Sequence, residues 1–283
     1  MKKFFFPLFC LSLSACMQNN LPKYNELNSL RILGLVSTQP EVDAGGTTTV
    51  TPIVSDINET TSLSFEAIGC ISLTGFDTNC SSNPTATNLG NGTLNSGDMT
   101  VARGFTGSAT AFTVTIPAAG VIFNQRDTQD QFNGISYIVS YTLRNSRGDS
   151  VASFRRIAVS TRPSGEKNQN PSLTDILANG SALTTTLPAS QTLNVTPSFG
   201  TPTVESFRVL TDTGDYRTET EELVTSWFAT DGTLKYYRTV SSDENIFTAP
   251  DNMPAGRDVY LLALTRDGRG GLSFVRKCFG NCP

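Results

Sequence analysis

A two-residue rhythm recurs through this sequence and leaves little choice of secondary structure. Phe112, Val114 and Ile116 alternate with Thr113 and Thr115. Tyr137, Val139, Tyr141 and Leu143 then alternate with Ser140, Thr142 and Arg144. A strand sends successive side chains to opposite faces, so this is the pattern of half-buried strands. Turn-forming Gly, Asn, Asp and Pro interrupt the chain roughly every ten residues, and no sustained helical period appears. The expectation is an all-β chain built from antiparallel sandwiches. With 283 residues, one large or two ordinary domains are allowed.

Internal similarity favours two. Residues 162–171 (Arg-Pro-Ser-Gly-Glu-Lys-Asn-Gln-Asn-Pro) are almost wholly polar, the composition of a boundary. Leu193-Asn-Val-Thr-Pro197 echoes Val50-Thr-Pro52, and Ile246–Pro250 echoes Phe112–Pro117. Arg266-Asp-Gly-Arg-Gly270 lines up with Arg144-Asn-Ser-Arg-Gly148. This predicts a low-identity duplication: sandwich 28–161, linker 162–171, sandwich 172–283. Trp227 is placed on an alternating strand, Leu223–Phe228. The polar stretches 79–98 and 124–133 read as surface loops.

The N-terminus has a different grammar. Lys2 and Lys3 precede an apolar run from Phe4 to Leu13, and Leu13-Ser-Ala-Cys16 follows. The run is about half the length a membrane-spanning helix needs, so it reads as a removable signal over residues 1–15. Leu and Ala at their positions before Cys16 form a lipobox. That pattern resembles bacterial lipoproteins, which implies a cleaved signal peptide and acyl chains such as palmitate on Cys16. Residues 16–27 then form a lipidated tether, and Met17 in place of Asp points to the outer membrane. Which face of that membrane stays open.

Removing residues 1–15 takes away Lys2 and Lys3, so 19 basic and 25 acidic residues remain, a net charge of −6. A nucleic-acid partner is not expected without a basic face. The chain has no histidine, which excludes Ser-His and Cys-His nucleophile pairs and imidazole zinc sites. No metal, cofactor or catalytic residue is expected. Four cysteines remain after Cys10 and Cys16. In an exported chain they read as disulfides, with the local pairs Cys70–Cys80 and Cys278–Cys282 favoured among three pairings.

The lipobox at Cys16, Pro40-Glu41, Ser226-Trp-Phe-Ala-Thr-Asp-Gly232, Arg266-Asp-Gly-Arg-Gly-Gly271 and the closing Cys282 together resemble bacterial lipoproteins with tandem immunoglobulin-like domains. The resemblance implies two immunoglobulin-like β-sandwiches without the inter-sheet cysteine pair of antibody domains. It carries no activity.

Three places offer chemistry. Asp267-Gly268 is a tight-turn signal, and Arg266 and Arg269 flank it, either as a fork for an anionic ligand or as a hairpin whose arginines keep an edge soluble or pair with local carboxylates. In Lys235-Tyr-Tyr-Arg238 one tyrosine on each strand face is expected, with the outward one, Tyr237, free to stack on a sugar ring. Asp212, Asp215, Glu219, Glu221 and Glu222 fit no established calcium spacing and read as a solvated loop. Asn-x-Ser/Thr sites at Asn58, Asn91 and Asn194 are ascribed to composition. The expected function is a lipid-anchored, non-enzymatic binding or adhesion module of the cell envelope. It would act through a distal second sandwich on a protein or glycan partner. The alternatives are a subunit of an envelope assembly and a carboxylate-based envelope hydrolase.

Overall fold

The computed structural model describes residues 24–279 apart from 60, 76, 96–99, 102–105, 184–185 and 253–257. The signal segment, Cys16, the tether as far as Lys23, and Cys282 lie outside the described residues. The first half contributes β1 (Arg31–Ser37), β2 (Glu41–Val42), β3 (Thr47–Ser55), β4 (Ser62–Ile71), β5 (Thr87–Asn95), β6 (Thr100–Val101), β7 (Gly107–Ser108), β8 (Phe112–Thr115), β9 (Ile135–Asn145) and β10 (Ser150–Val159). One sheet runs β1-β3-β7-β6, with β8 also on β3, and the other runs β2-β10-β9-β4-β5. The chain changes sheet between β1 and β2, around Pro40. There β2 pairs in parallel with β10, while the other strand pairs are antiparallel.

The second half contributes β11 (Leu173–Ala178), β12 (Ser181–Ala182), β13 (Thr192–Phe199), β14 (Ser206–Leu210), β15 (Tyr216–Thr220), β16 (Val224–Ala229), β17 (Thr233–Leu234), β18 (Arg238–Val240), β19 (Asn245–Thr248), β20 (Val259–Arg266) and β21 (Leu272–Phe279). Its sheets run β12-β11-β13-β19-β17 and β18-β16-β20-β21, and β14-β15 is a separate ribbon. The two halves share one strand order. In each, a proline-bearing strand lies between the first strand and a Phe-Thr strand, with Leu35 opposite Pro52 and Ile176 opposite Pro197. In each, a long hairpin closes the second sheet. These are tandem immunoglobulin-like sandwiches.

Two sequence expectations need correcting. The segment 124–133 is not a plain loop. It follows helix α1 (Ala119–Ile122) and contains α2 (Thr128–Asn133), whose first turn is capped by the Asp127 side chain accepting from the Asp130 N–H. The stretch 79–98 is not wholly a surface excursion either, since its residues 87–95 form β5 along β4. The Asn and Gly there have weak strand preference, and the partner strand supplies the order.

Each sandwich has its own core. Leu35, Val50, Val54, Val139 and Tyr141 fill the first. Trp227, Phe247, Leu261, Ala263 and Phe279 fill the second. A third core joins them: Leu27, Leu33 and Ile53 from the first half meet Phe228, Tyr260, Leu262, Leu264 and Leu272 from the second. The alternation is regular. Trp227, Leu261 and Ala263 point inward, while Phe228, Tyr260, Leu262 and Leu264 point at the other half. Strands β16 and β20 are therefore buried on both faces, not half-buried as the alternating reading of Leu223–Phe228 had it. Burying side chains of this size stabilises by about 1.5–3 kcal/mol each. Gly34 admits the close approach. A Cβ there would lie 2.8 Å from Leu272 Cδ2 and 3.1 Å from Leu264 Cδ2.

Candidate functional site

The hairpin tip at Arg266–Gly271 forms the turn that its sequence predicts. Asp267 Oδ1 accepts from the Arg269 and Gly271 N–H groups, each at 2.8 Å. Gly268 and Gly270 adopt φ of 79° and 110°, open mainly to glycine. Its arginines, however, do not form an outward fork. Arg266 donates to Ser226 Oγ and, across the halves, to the Leu33 carbonyl, both at 3.2 Å. Arg269 sits 3.0 Å from Glu221, 3.3 Å from Glu205 and 3.3 Å from Glu41. Its guanidinium also lies 4.0 Å from the centre of the Phe207 ring. The fork is filled by carboxylates of the chain itself, 48 and 228 residues away in the sequence for Glu221 and Glu41. That distance is why no local reading pairs them.

Glu41 is buried and shared between the halves. It accepts from Ser160 Oγ and from the Asn168 N–H at 2.8 Å, and Arg162 Nε is 3.4 Å away. Asn168 Nδ2 in turn donates to Asp267 at 3.0 Å. The polar 162–171 segment thus lies inside this lock, with Arg162, Lys167 and Asn168 buried. Burial pushes Glu221 up to about 7. The charges of Asp267 and Glu205 add to the rise, against the hydrogen bonds from the Glu205 N–H and Arg269. The solvated-loop reading therefore fails for Glu221, while Asp212 and Asp215 lie in an exposed turn. Among the described residues no group of three or more His, Cys, Asp or Glu is arranged to hold a metal. The β14-β15 ribbon extends the lock to the first half: Asn133 donates to the Leu210 carbonyl at 2.8 Å and accepts its N–H at 2.9 Å.

Tyr237 is exposed, and so is Tyr236, because the strand begins only at Arg238. One tyrosine on each face is thus not what forms. Tyr237 joins Tyr24 edge-on, with ring centres 5.9 Å apart, and Arg238 lies 5.7 Å from both rings. Lys235 Nζ lies 5.0 Å from the Tyr236 ring. Tyr24 lies within the expected tether, residues 16–27, and its described end, residues 24–27, is not a free leash but is seated on the second half. Glu26 pairs with Ala229. Leu27 donates to the Ala229 carbonyl at 3.3 Å, and Ala229 donates to the Asn25 carbonyl at 3.1 Å. A second sandwich distal to the tether is therefore corrected. It lies beside the first and against residues 24–27.

The disulfide Cys70–Cys80 is present, as the local pairing expected, and it closes a surface loop whose polar side chains were not named among the candidate sites. Cys70, Cys80 and Ile138 form a small core on the outer face of the β2-β10-β9-β4-β5 sheet. Asp77 accepts from Ser72 Oγ, the Leu73 N–H, the Thr74 N–H and Thr74 Oγ1, between 2.7 and 3.1 Å. These bonds hold its carboxyl below the usual range, against a smaller opposing effect of desolvation. Asn83 donates to the Ile71 carbonyl and accepts from Thr85. Leu73, Asp77, Thr78, Asn79, Ser82 and Asn83 line a shallow polar pocket of about 320 Å³. The available signal was a run of Asx and Ser/Thr residues inside a short disulfide, typical of a self-bonded loop. At the other end of the chain Cys278 is disulfide-bonded, and Cys282, its expected partner, lies outside the described residues.

Strand order, shared core and polar lock define a tandem immunoglobulin-like β-sandwich protein. No family model matches the chain, and no curated protein matches it by sequence. Among solved structures it is similar to the two tandem V-type regions of VCBP3, a v-region-containing chitin binding protein. Identity is 13%, covering 88% of this chain and 99% of that one, with a TM-score of 0.30. A score that low carries no argument, so the fold assignment rests on the strand order itself.

Proposed function

We propose that the protein is a non-enzymatic binding module of a bacterial cell envelope, held on the outer membrane by lipid on Cys16. Its recognition surface is the pocket beside the Cys70–Cys80 disulfide, lined by Leu73, Asp77, Thr78, Asn79, Ser82 and Asn83. The observation that carries this reading is the loop's preorganisation. Side-chain hydrogen bonds to its own backbone and a covalent clamp fix it before any partner arrives, which lowers the ordering cost of binding. Recognition loops on a rigid sandwich follow the same logic. The pocket's hydroxyl and amide groups suit a hydroxyl-rich partner such as an envelope glycan, with Leu73, 53% exposed, as the apolar contact.

Two measurements test the reading. Radiolabelled palmitate is expected in the wild-type protein and absent from Cys16→Ser; equal labelling overturns the anchor. The mature chain with Cys16→Ser, immobilised and exposed to envelope glycans, is expected to retain a fraction that the Leu73→Ala/Ser82→Ala variant releases. Retention unchanged by that variant, or no retention at all, overturns the loop as a binding surface.

A further inference from the structure

We infer that Asn179–Gly180, the turn between β11 and β12, is a site of spontaneous covalent modification, where water converts the asparagine to aspartate and isoaspartate. The backbone nitrogen of the glycine attacks Cγ of the asparagine and gives up its proton. The Cγ–Nδ2 bond breaks, ammonia leaves and a succinimide ring remains. Water then opens the ring at either carbonyl, and no oxidant or cofactor takes part. Glycine favours the attack because no Cβ crowds its nitrogen. The sequence holds three Asn-Gly pairs, at Asn91, Asn133 and Asn179, and nothing in it ranks one above another. The fold separates them.

Asn133–Gly134 is closed to this reaction. Both polar atoms of the Asn133 amide are bonded to Leu210, and the Gly134 N–H donates to the Asp130 carbonyl at 2.8 Å. All three bonds must break before the nitrogen reaches Cγ, which lowers the reactive population about a hundredfold at about fivefold for each bond. Asn91–Gly92 is exposed but lies inside β5, opposite Glu66 and Phe65 of β4. Rotating that peptide toward the Asn91 side chain strains the ladder. Asn179 and Gly180 are both exposed and stand outside any ladder, between the paired Ala178 and Ser181. Their φ values are 49° and 76°, and a Cβ on Gly180 would meet nothing within 4 Å. One contact assists the attack. The Asn194 N–H donates to Asn179 Oδ1 at 3.2 Å, which draws electron density from Cγ and steadies the oxygen as it becomes negative. Isoaspartate then adds a methylene to the main chain of a two-residue turn, along with a negative charge, so β12 is expected to part from β11 while the core around Trp227 stays intact.

The test holds the mature chain with Cys16→Ser in mildly alkaline buffer. Samples taken over time are digested, and mass spectrometry with chromatography resolves asparagine, aspartate and isoaspartate at each pair. Asn179 is expected to convert first, about a hundredfold faster than Asn133, with Asn91 between them. In concentrated urea, where the fold is absent, the three pairs are expected to convert alike. Asn179→Gln, whose longer side chain closes the ring poorly, is expected to abolish product at residue 179 and leave the other two pairs unchanged, with unchanged Trp227 emission showing that it is folded. Equal native rates, Asn91 or Asn133 ahead of Asn179, no conversion at Asn179 in the native chain, or the same ranking kept in urea overturns the inference.

Discussion

Arg269→Ala removes the cation that three carboxylates share. Glu41 and Glu221 have side chains only 3% exposed, while Glu205 is 28% exposed. Removing one partner from a buried ion pair costs about 3–5 kcal/mol, since the other charge stays desolvated. Several features of the site moderate that figure. Glu41 keeps Arg162, Ser160 and the Asn168 N–H. Glu221 can take up a proton near neutral pH, and Glu205 reaches water. Contact with Phe207 is lost as well. The expected cost is therefore about 3 kcal/mol, the lower end of the range and a large share of a typical total stability. Urea unfolding at neutral pH, followed by Trp227 emission and far-UV circular dichroism, reads it out. Trp227 lies in the second sandwich, whereas dichroism reports both. Both signals are expected to shift together, because the lock and the third core couple the halves. A shift below about 1 kcal/mol, or a second transition in dichroism left unmoved, refutes the reasoning.

Further outcomes follow from the same structure. Glu221 is raised from 4.5 to about 7, so the native state binds more protons than the unfolded chain between these values; stability is expected to fall as pH rises through that window, and Glu221→Gln to flatten the slope in pH-dependent urea melts. Gly34→Val is expected to push Leu264 and Leu272 apart and lower stability by about 1–3 kcal/mol, with Trp227 still shielded from an added quencher, because its own core is untouched. Cys70→Ser with Cys80→Ser is expected to cost about 3 kcal/mol from the chain entropy of a loop this short, read as a lower thermal midpoint.

Much of the fold was legible because it depends on neighbours in sequence. The alternation of Tyr137 to Leu143, the echo of Pro52 in Pro197, and the paired hairpins at Arg144 and Arg266 each describe one strand or one turn. The third core was less legible, because the second face of a strand is buried or exposed according to a partner hundreds of residues away. One signal was there: from Val259 to Leu264 there is no strongly polar residue, as in strands covered on both sides. The arginines misled for a related reason. Arg266 and Arg269 flank a tight turn, which normally faces water, and nothing nearby in sequence marks the Leu33 carbonyl as a partner of Arg266 or Glu41 and Glu221 as partners of Arg269. Tyr237 and Tyr236 are both exposed because the strand begins only at Arg238, and the neighbour of Tyr237, Tyr24, comes from the other end of the chain, which no local pattern around residues 235–238 could mark.

The side-by-side packing of the two sandwiches is tested most directly by small-angle X-ray scattering from the mature chain with Cys16→Ser. A compact body of this size has a radius of gyration of about 18 Å. Two sandwiches in series, separated by the length of a ten-residue strand, give about 22 Å or more. The shared core and the Arg269 lock predict the smaller value, unchanged between dilute and concentrated samples, and the larger value contradicts them.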